Sequence, residues 1–109
     1  MQSPLTPEAA ELIARRFLAL SDPTRLRIVD LLRSREEASV RELTEALDTS
    51  QQNVSKHLAT LHGEGFVSRR KQGTSVIYAI ADPAVFDLCE QVCGGIEAQL
   101  ASLGAALKA

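Results

Sequence analysis

Aromatic side chains are scarce in this chain of 109 residues, which has no tryptophan, one tyrosine and three phenylalanines. Proteins that bind single-stranded nucleic acid stack bases on aromatic rings, so the composition does not support that class. Two cysteines are too few for a disulfide framework. No apolar run approaches the roughly 18 residues that span a bilayer, and the first residues lack the pattern of a secretory signal. We therefore expect a cytoplasmic protein with no membrane partner.

Catalytic motifs are missing as well. The sequence has no Gly-rich phosphate loop, no Ser/His/Asp order and no paired-carboxylate motif, so we expect no enzymatic activity. His57 and His62 have no Cys or carboxylate at ligand spacing, which argues against a metal site at either histidine.

An excess of basic charge, typical of DNA-binding domains, is absent from the chain as a whole. Lys and Arg number 12 against 14 Asp and Glu, a formal net charge of −2. The distribution is uneven, however. From Ser50 to Ile80 four basic residues accompany one acidic residue, a net charge of +3, whereas the segment from Ala81 to Ala109 carries −3. A local basic surface is therefore compatible with the acidic average.

Local start signals divide the chain into helices. Cap residues predict helix starts at Thr6, Asp22, Ser39, Ser50 and Asp82, and a Pro or an early acid follows each of them except Ser50. The segments Phe66–Lys71 and Thr74–Ile80 predict two strands of a β-hairpin that turns at Gly73. We predict a mainly α protein in the order of four helices, a hairpin and a helix, forming one domain over residues 1–109.

Two short helices between Val40 and Leu61 are joined closely enough for a helix-turn-helix. In the second helix the apolar residues share one face, and small or polar side chains that can bond base edges or phosphates occupy the other. On composition alone, a merely solvated surface is an equal alternative. The predicted DNA-contacting residues of this helix are Ser50, Gln51, Gln52, Asn53, Ser55, Lys56, His57 and Thr60.

The hairpin favours the DNA interpretation. Its basic tip could reach phosphates or a minor groove beside the second helix. The alternative is that the charged tip only keeps the protein soluble. The positive charge of this segment supports DNA contact. The predicted contacts here are Arg69, Arg70, Lys71, Gln72 and Thr74.

These motifs resemble the ArsR/SmtB family of bacterial winged-helix repressors. The resemblance extends from about residue 10 to 100 and is carried by Leu20-Ser21-Asp22-Pro23-Thr24-Arg25-Leu26-Arg27-Ile28, by the run from Ser50 to Leu61, and by Gly65-Phe66-Val67 with Arg69-Arg70-Lys71-Gln72-Gly73. It implies a winged helix-turn-helix, a homodimer built through the first and last helices, binding to double-stranded operator DNA, and release by an inducer.

The last helix predicts a dimer independently. Its apolar residues alternate at spacings of three and four, the narrow seam of a helix that packs on another helix. The predicted dimer interface comprises Phe86, Cys89, Cys93, Ile96, Leu100 and Leu103.

The inducer is left open by the sequence. Relative to the family's metal sites, Ser39-Val40-Arg41 replaces a Cys-x-Cys, and Ala84, Gly95 and Ala98 replace zinc ligands, so Asp82 is interpreted as a helix cap.

Cys89 and Cys93 lie one helical turn apart on the last helix. They either pack as small apolar residues or sense a thiol-reactive species or a thiolate-bound metal or metalloid ion. No other cofactor is predicted. The alternatives are a regulator controlled by another ligand or by protein contact, or a winged helix used only for protein contact.

Overall fold

The computed structural model describes residues 4–108, apart from the side chains of Cys89, Cys93 and 105–108. Over this range the chain forms five helices and one three-stranded sheet. In order these elements are α1 (Pro7–Leu20), α2 (Pro23–Arg35), β1 (Glu37–Ser39), α3 (Val40–Leu47), α4 (Gln51–Gly63), β2 (Val67–Gln72), β3 (Ser75–Ile80) and α5 (Ala84–Lys108). The predicted fold class is confirmed, with one strand added.

Helices α1 to α4 begin at the cap residues that the sequence predicts. Thr6 Oγ1 accepts from Ala9 N at 3.1 Å, Asp22 Oδ2 accepts from Arg25 N at 3.0 Å, and Ser50 Oγ accepts from Asn53 N at 3.1 Å. Each bond satisfies an N–H group that the first helical turn leaves without a partner. The boundaries therefore follow from side chains three residues away in sequence.

The start of α3 is a complete capping box. Ser39 Oγ accepts from Glu42 N at 3.1 Å, and Glu42 Oε1 accepts from Ser39 N at 3.0 Å. The bond from the Ser39 backbone, followed by the bond from its hydroxyl, lowers the pKa of the Glu42 carboxyl because both stabilise its charged form. The predicted box is confirmed.

The strand β1 was not predicted. It pairs antiparallel with β3, with Ala38 opposite Tyr78, and the sheet order is β1-β3-β2. Three residues are too few to show the alternation by which a strand is recognised in sequence. They become a strand because β3 offers them its second edge, and Ser39 ends the strand while capping α3.

The core lies between the helices and one face of the sheet. Its fully buried members include Ile28 of α2, Leu43 of α3 and Leu58 of α4, and the same cluster contains Val67 and Tyr78 of the sheet. The position of α4 relative to the hairpin is therefore set by packing in this core.

Helix α5 leaves the core after its first two turns. Asp82 Oδ1 accepts from Ala84 N at 3.0 Å, in agreement with the predicted capping role, and Val85 is buried. Further along, Val92, Ile96, Leu100 and Leu103 are each at least 50% exposed. Among residues 4–108, no helix has the length and apolarity to cross a membrane.

Candidate nucleic-acid interface

The link between α3 and α4 is a tight turn held by local hydrogen bonds. Asp48 adopts the left-handed conformation, with φ 52° and ψ 51°, and its N–H bonds Thr44 O at 3.2 Å. Asn53 Nδ2 donates to Thr49 Oγ1 at 3.2 Å, and Ser50 caps the next helix. Together these bonds determine the direction in which α4 leaves the turn, as a helix-turn-helix requires.

Helix α4 divides into a buried and an exposed side, as predicted. Val54, Leu58 and Leu61 are fully buried. The exposed side presents only small or polar side chains and one positive charge: Gln51, Gln52, Ser55, Lys56, Ala59 and Thr60. Such a surface can enter a major groove without a steric or electrostatic conflict with the DNA.

Two of the predicted contacts on α4, Asn53 and His57, are not fully exposed and bond other side chains of the protein. Asn53 is half-buried, and its amide is engaged by Thr49. The side chain of His57 is only 13% exposed, and Arg25 Nη1 donates to its Nδ1 at 3.0 Å. Asp22 Oδ2 lies 3.8 Å from the same nitrogen. His57 therefore belongs to the inner side of α4 and not to its exposed polar side.

The hairpin places its basic residues on both faces of the sheet. In the strand register Val67 pairs with Ile80, Arg69 with Tyr78 and Lys71 with Val76. Since side chains alternate across a strand, Arg69 and Lys71 lie on the face that carries Val67 and the buried Tyr78, which is the face toward the helices. Both basic side chains are exposed beyond the end of the core. We call this hairpin, β2 and β3 with the turn at Gly73, the wing.

Arg70 lies on the other face of the wing. Its Nη2 is 3.0 Å from Oε1 and 2.9 Å from Oε2 of Glu37 on β1, and its Nη1 donates to Gln72 Oε1 at 2.6 Å. This predicted contact is thus occupied by an internal carboxylate. The wing turns at Gly73, whose φ of 63° agrees with the positive value predicted for it.

Apart from Arg70, the basic residues between Ser50 and Ile80 are not neutralised locally. Glu64, the one acidic residue between Ser50 and Ile80, pairs with Arg15 of α1 at 3.3 Å. Among the residues that the structure describes, none forms an ion pair with Lys56, Arg69 or Lys71. These three cations are therefore available to an anionic partner.

Sequence reasoning missed two residues that organise this surface. Arg25 reaches both α1 and α4, and Glu37 holds Arg70. Arg25 stands three residues after the Asp22 cap, within the motif that carries the family resemblance, but its partners are 6, 7 and 32 residues away. No local pattern reveals such contacts.

Comparison with known proteins decides the family. The sequence profile of the family described as bacterial regulatory protein, arsR family, matches residues 22–69. The transcriptional repressor SmtB homolog of Synechocystis sp. is 34% identical over 90 residues, which cover 83% of this chain and 67% of that protein. The chain belongs to the ArsR family. The arsenical resistance operon repressor of Escherichia coli is 46% identical over 65 residues, 60% of this chain and 56% of that protein.

Solved structures agree with this assignment to the ArsR family. NolR from Sinorhizobium fredii superposes with a TM-score of 0.73 at 33% identity, over 84% of this chain and 93% of that one. A homodimeric winged helix-turn-helix DNA-binding domain from Mycobacterium bovis superposes with a TM-score of 0.72 at 30% identity, over 89% and 91%. The chain spans 56% to 67% of the length of the first curated relatives that it matches.

This ArsR-family chain also carries an open apolar groove. The groove lies between α1, α2 and α5, has a volume of about 750 Å³, and is lined by side chains that include Phe17, Leu26, Ile96 and Leu100. Of the predicted dimer residues, Ile96, Leu100 and Leu103 are 50%, 61% and 57% exposed. Phe86 differs, because it is half-buried and packs against the core. The Arg33 guanidinium carbon lies over the Phe86 ring, 5.6 Å from the ring centroid.

The side chains of the two predicted sensor residues, Cys89 and Cys93, lie outside the described residues. The predictions made for them as sensors and as dimer contacts therefore stay predictions. Within the described residues, no group of three His, Cys, Asp or Glu side chains is placed to hold a metal ion.

Proposed function

We propose that this protein is a transcriptional repressor that binds double-stranded operator DNA through α4 and the wing. The observation that carries the proposal is the surface formed by the polar side of α4 together with Lys56, Arg69 and Lys71, three exposed cations with no ion-pair partner among the described residues. Membership of the ArsR family supports it. Such a regulator acts in the cytoplasm and needs no catalytic group.

In the proposed complex α4 lies in the major groove. Gln52 bonds base edges, since a Gln amide can pair with an adenine through two hydrogen bonds. Gln51, Ser55, Lys56 and Thr60 contact bases or phosphates, and Arg69 and Lys71 contact the flanking phosphates from the wing. The phosphate contacts give affinity, and the α4 contacts give sequence preference.

We further propose that the whole chain works as one domain with dimerisation helices at both ends. The exposed apolar side chains of α1 and of the seam of α5 need a partner of the same length and character, which a second copy supplies. The homodimeric relative from M. bovis supports this arrangement. A two-fold dimer would place its two α4 helices on two half-sites of a symmetric operator.

The test of DNA binding is fluorescence anisotropy with labelled duplex taken from upstream of the protein's own gene. We expect a Kd in the nanomolar range, on the order of 10⁻⁸ M, that weakens steeply as salt rises. Gln52→Ala should relax the preference for the operator over scrambled duplex, whereas Gln91→Ala on α5, the matched control, should not. If the protein binds no duplex even at low salt, the winged helix serves only protein contact and the proposal is wrong.

The inducer is proposed to be a metal or metalloid ion or a thiol-reactive species that acts at Cys89 and Cys93. Their i, i+4 spacing on α5 and the family's arsenical resistance repressor support this. A Cys89→Ser/Cys93→Ser double variant should bind the operator normally but no longer be released by arsenite or by a persulfide donor. Release that persists in the double variant would favour another ligand or a protein partner.

A further inference from the structure

Arg25 joins three helices through a single side chain. It is the third residue of α2, and its guanidinium donates to two backbone carbonyls of α1 and to one ring nitrogen of α4. The distances are 2.6 Å from Nε to Ala19 O, 3.2 Å from Nη2 to Leu18 O and 3.0 Å from Nη1 to His57 Nδ1. We call these three contacts the Arg25 clamp.

The contact with α1 gives Ala19 O a side-chain donor and brings a cation to Leu18 O, which also accepts from Ser21 N and Ser21 Oγ. The last carbonyls of a helix have no intrahelical donor and carry partial negative charge, which a cation stabilises. The last turn of α1 contains no basic residue. Arg25 therefore supplies from α2 the cation that α1 lacks.

The contact with α4 defines the state of His57. A guanidinium can only donate, so Nδ1 must accept and the ring proton must reside on Nε2. Asp22 Oδ2 accepts from the backbone N–H of Arg25 at 3.0 Å, and this bond lowers the pKa of the Asp22 carboxyl. The cap thereby holds the backbone of Arg25 at a fixed position from which its side chain reaches both neighbours.

We infer that Arg25 is a positioning residue for DNA recognition: through His57 it holds α4 at a set distance from the C-terminus of α1. The inference rests on the proposed function. Arg25 itself needs no contact with DNA in this role, because one donor each of Nε, Nη1 and Nη2 is already bonded to α1 or α4. Since α1 also bears exposed apolar side chains proposed for the dimer contact, the clamp makes the placement of the DNA-reading helix depend on the helix at the subunit interface.

The test separates positioning from stability and from direct phosphate contact. Arg25→Met and His57→Leu remove the bond from either end, and both variants are titrated against operator and scrambled duplex. A misplaced α4 should lower the ratio of operator to scrambled affinity by roughly 3- to 30-fold, the usual range of coupling through such networks. The salt dependence should be unchanged. The double variant should lose no more than Arg25→Met alone, because Arg25→Met already removes the bond to His57 together with the two bonds to α1.

Three controls keep the result interpretable. Arg27→Met removes an equal charge from an exposed position on α2 and should leave the ratio unchanged. His57→Asn keeps an acceptor near the position of Nδ1 and should retain most of the preference. Nitrogen NMR of His57 should show the proton on Nε2 in the wild type and a mixture of tautomers in Arg25→Met, whether or not DNA is present.

The opposing outcomes are distinct. If both affinities fall together in proportion to the folded fraction measured by circular dichroism, Arg25 serves stability alone and the inference is wrong. If both fall and the salt slope decreases by about one, Arg25 contacts phosphate instead. Wild-type protein that binds no duplex would overturn the proposed function and this inference together, whereas a bound wild type with an unaltered ratio in Arg25→Met overturns the inference only.

Discussion

Glu37 and Arg70 meet across the outer face of the sheet, 33 residues apart in sequence. The guanidinium on β2 reaches over β3 to the carboxylate on β1, with Nη2 at 2.9 Å and 3.0 Å from the two oxygens. One of the three consecutive basic residues of the wing is thus turned away from the helices and held by a negative charge. An internal carboxylate here binds the guanidinium that the sequence assigns to a DNA contact.

Glu37→Gln should therefore strengthen DNA binding. The change releases Arg70, whose freed guanidinium can then contact phosphate, and we expect the Kd at low salt to fall by roughly two- to fivefold, the value of an exposed ion pair. The measurement is anisotropy titration with the operator duplex. The control is Glu11→Gln on α1, which also removes one negative charge but at a distance from the wing. Equal effects of the two substitutions would mean that net charge alone is responsible.

Lys71→Ala should weaken binding more than Arg70→Ala. Lys71 is exposed on the face toward the helices and has no ion pair among the described residues, whereas Arg70 is engaged by Glu37. Loss of one phosphate contact should reduce the slope of log Kd against log salt by about 0.9. The slope is measured from roughly 50 to 200 mM salt. A larger loss for Arg70→Ala would contradict the division of the wing into two faces.

Leu100→Glu should convert the proposed dimer to monomer. Leu100 is 61% exposed in the single chain and lines the apolar groove, so a second copy would bury it and a charge there would be buried without a partner. Sedimentation equilibrium at micromolar concentration checks this prediction. Gln99→Glu, at the neighbouring exposed position, introduces the same charge outside the seam and should leave the mass unchanged. A dimer that survives Leu100→Glu would place the interface elsewhere.

Acid should remove the stabilisation that Glu42 gives to α3. The pKa of this carboxyl is lowered in the folded state, so the folded protein binds the proton less readily than the unfolded chain does. The contribution is complete above the ordinary glutamate pKa of about 4.3 and is lost as the pH falls through the lower folded value. Glu42→Gln keeps an acceptor for Ser39 N but cannot titrate.

Urea midpoints of wild type and Glu42→Gln should thus differ most at neutral pH and converge toward acid. Asp22, whose pKa is also lowered by a backbone N–H, acts equally in both proteins and cancels in the comparison. Glu45→Gln, on the same helix but paired with Arg41, is the matched variant. A midpoint difference that does not change with pH would refute the role assigned to the carboxylate charge.

Glu36→Gly should stabilise the protein. Glu36 connects α2 to β1 with φ 71° and ψ −48°, a combination that side chains with a Cβ rarely adopt. Release of this strain should exceed the conformational entropy that a glycine loses on folding, for a net gain of about 1 kcal/mol in the free energy of unfolding. Arg35→Gly, inside the last turn of α2, should instead destabilise by about 1 kcal/mol. Urea unfolding measures both, and a loss of stability in Glu36→Gly would show that the conformation is unstrained.

Much of the candidate interface is predictable because it depends on local chemistry. The caps at Thr6, Asp22, Ser39 and Ser50 bond backbone groups three residues away, and the two sides of α4 follow from helical periodicity. A positive φ at Gly73 follows from the short turn between two strands. These features require no knowledge of the rest of the chain.

Other features depend on distant segments and came only from the tertiary structure. The strand β1 forms because β3 has an open edge, and Arg70 turns from a predicted phosphate contact into the partner of Glu37 because β1 lies there. His57 lies at the edge of the buried side of α4, where Arg25, 32 residues away in sequence, engages its ring nitrogen. The sequence by itself determined where helices begin, which side of α4 is polar and where positive charge concentrates, since these depend on neighbours within one or two turns. Only the folded chain decided which of those polar groups remain available to a partner, because that depends on which other side chains reach them first.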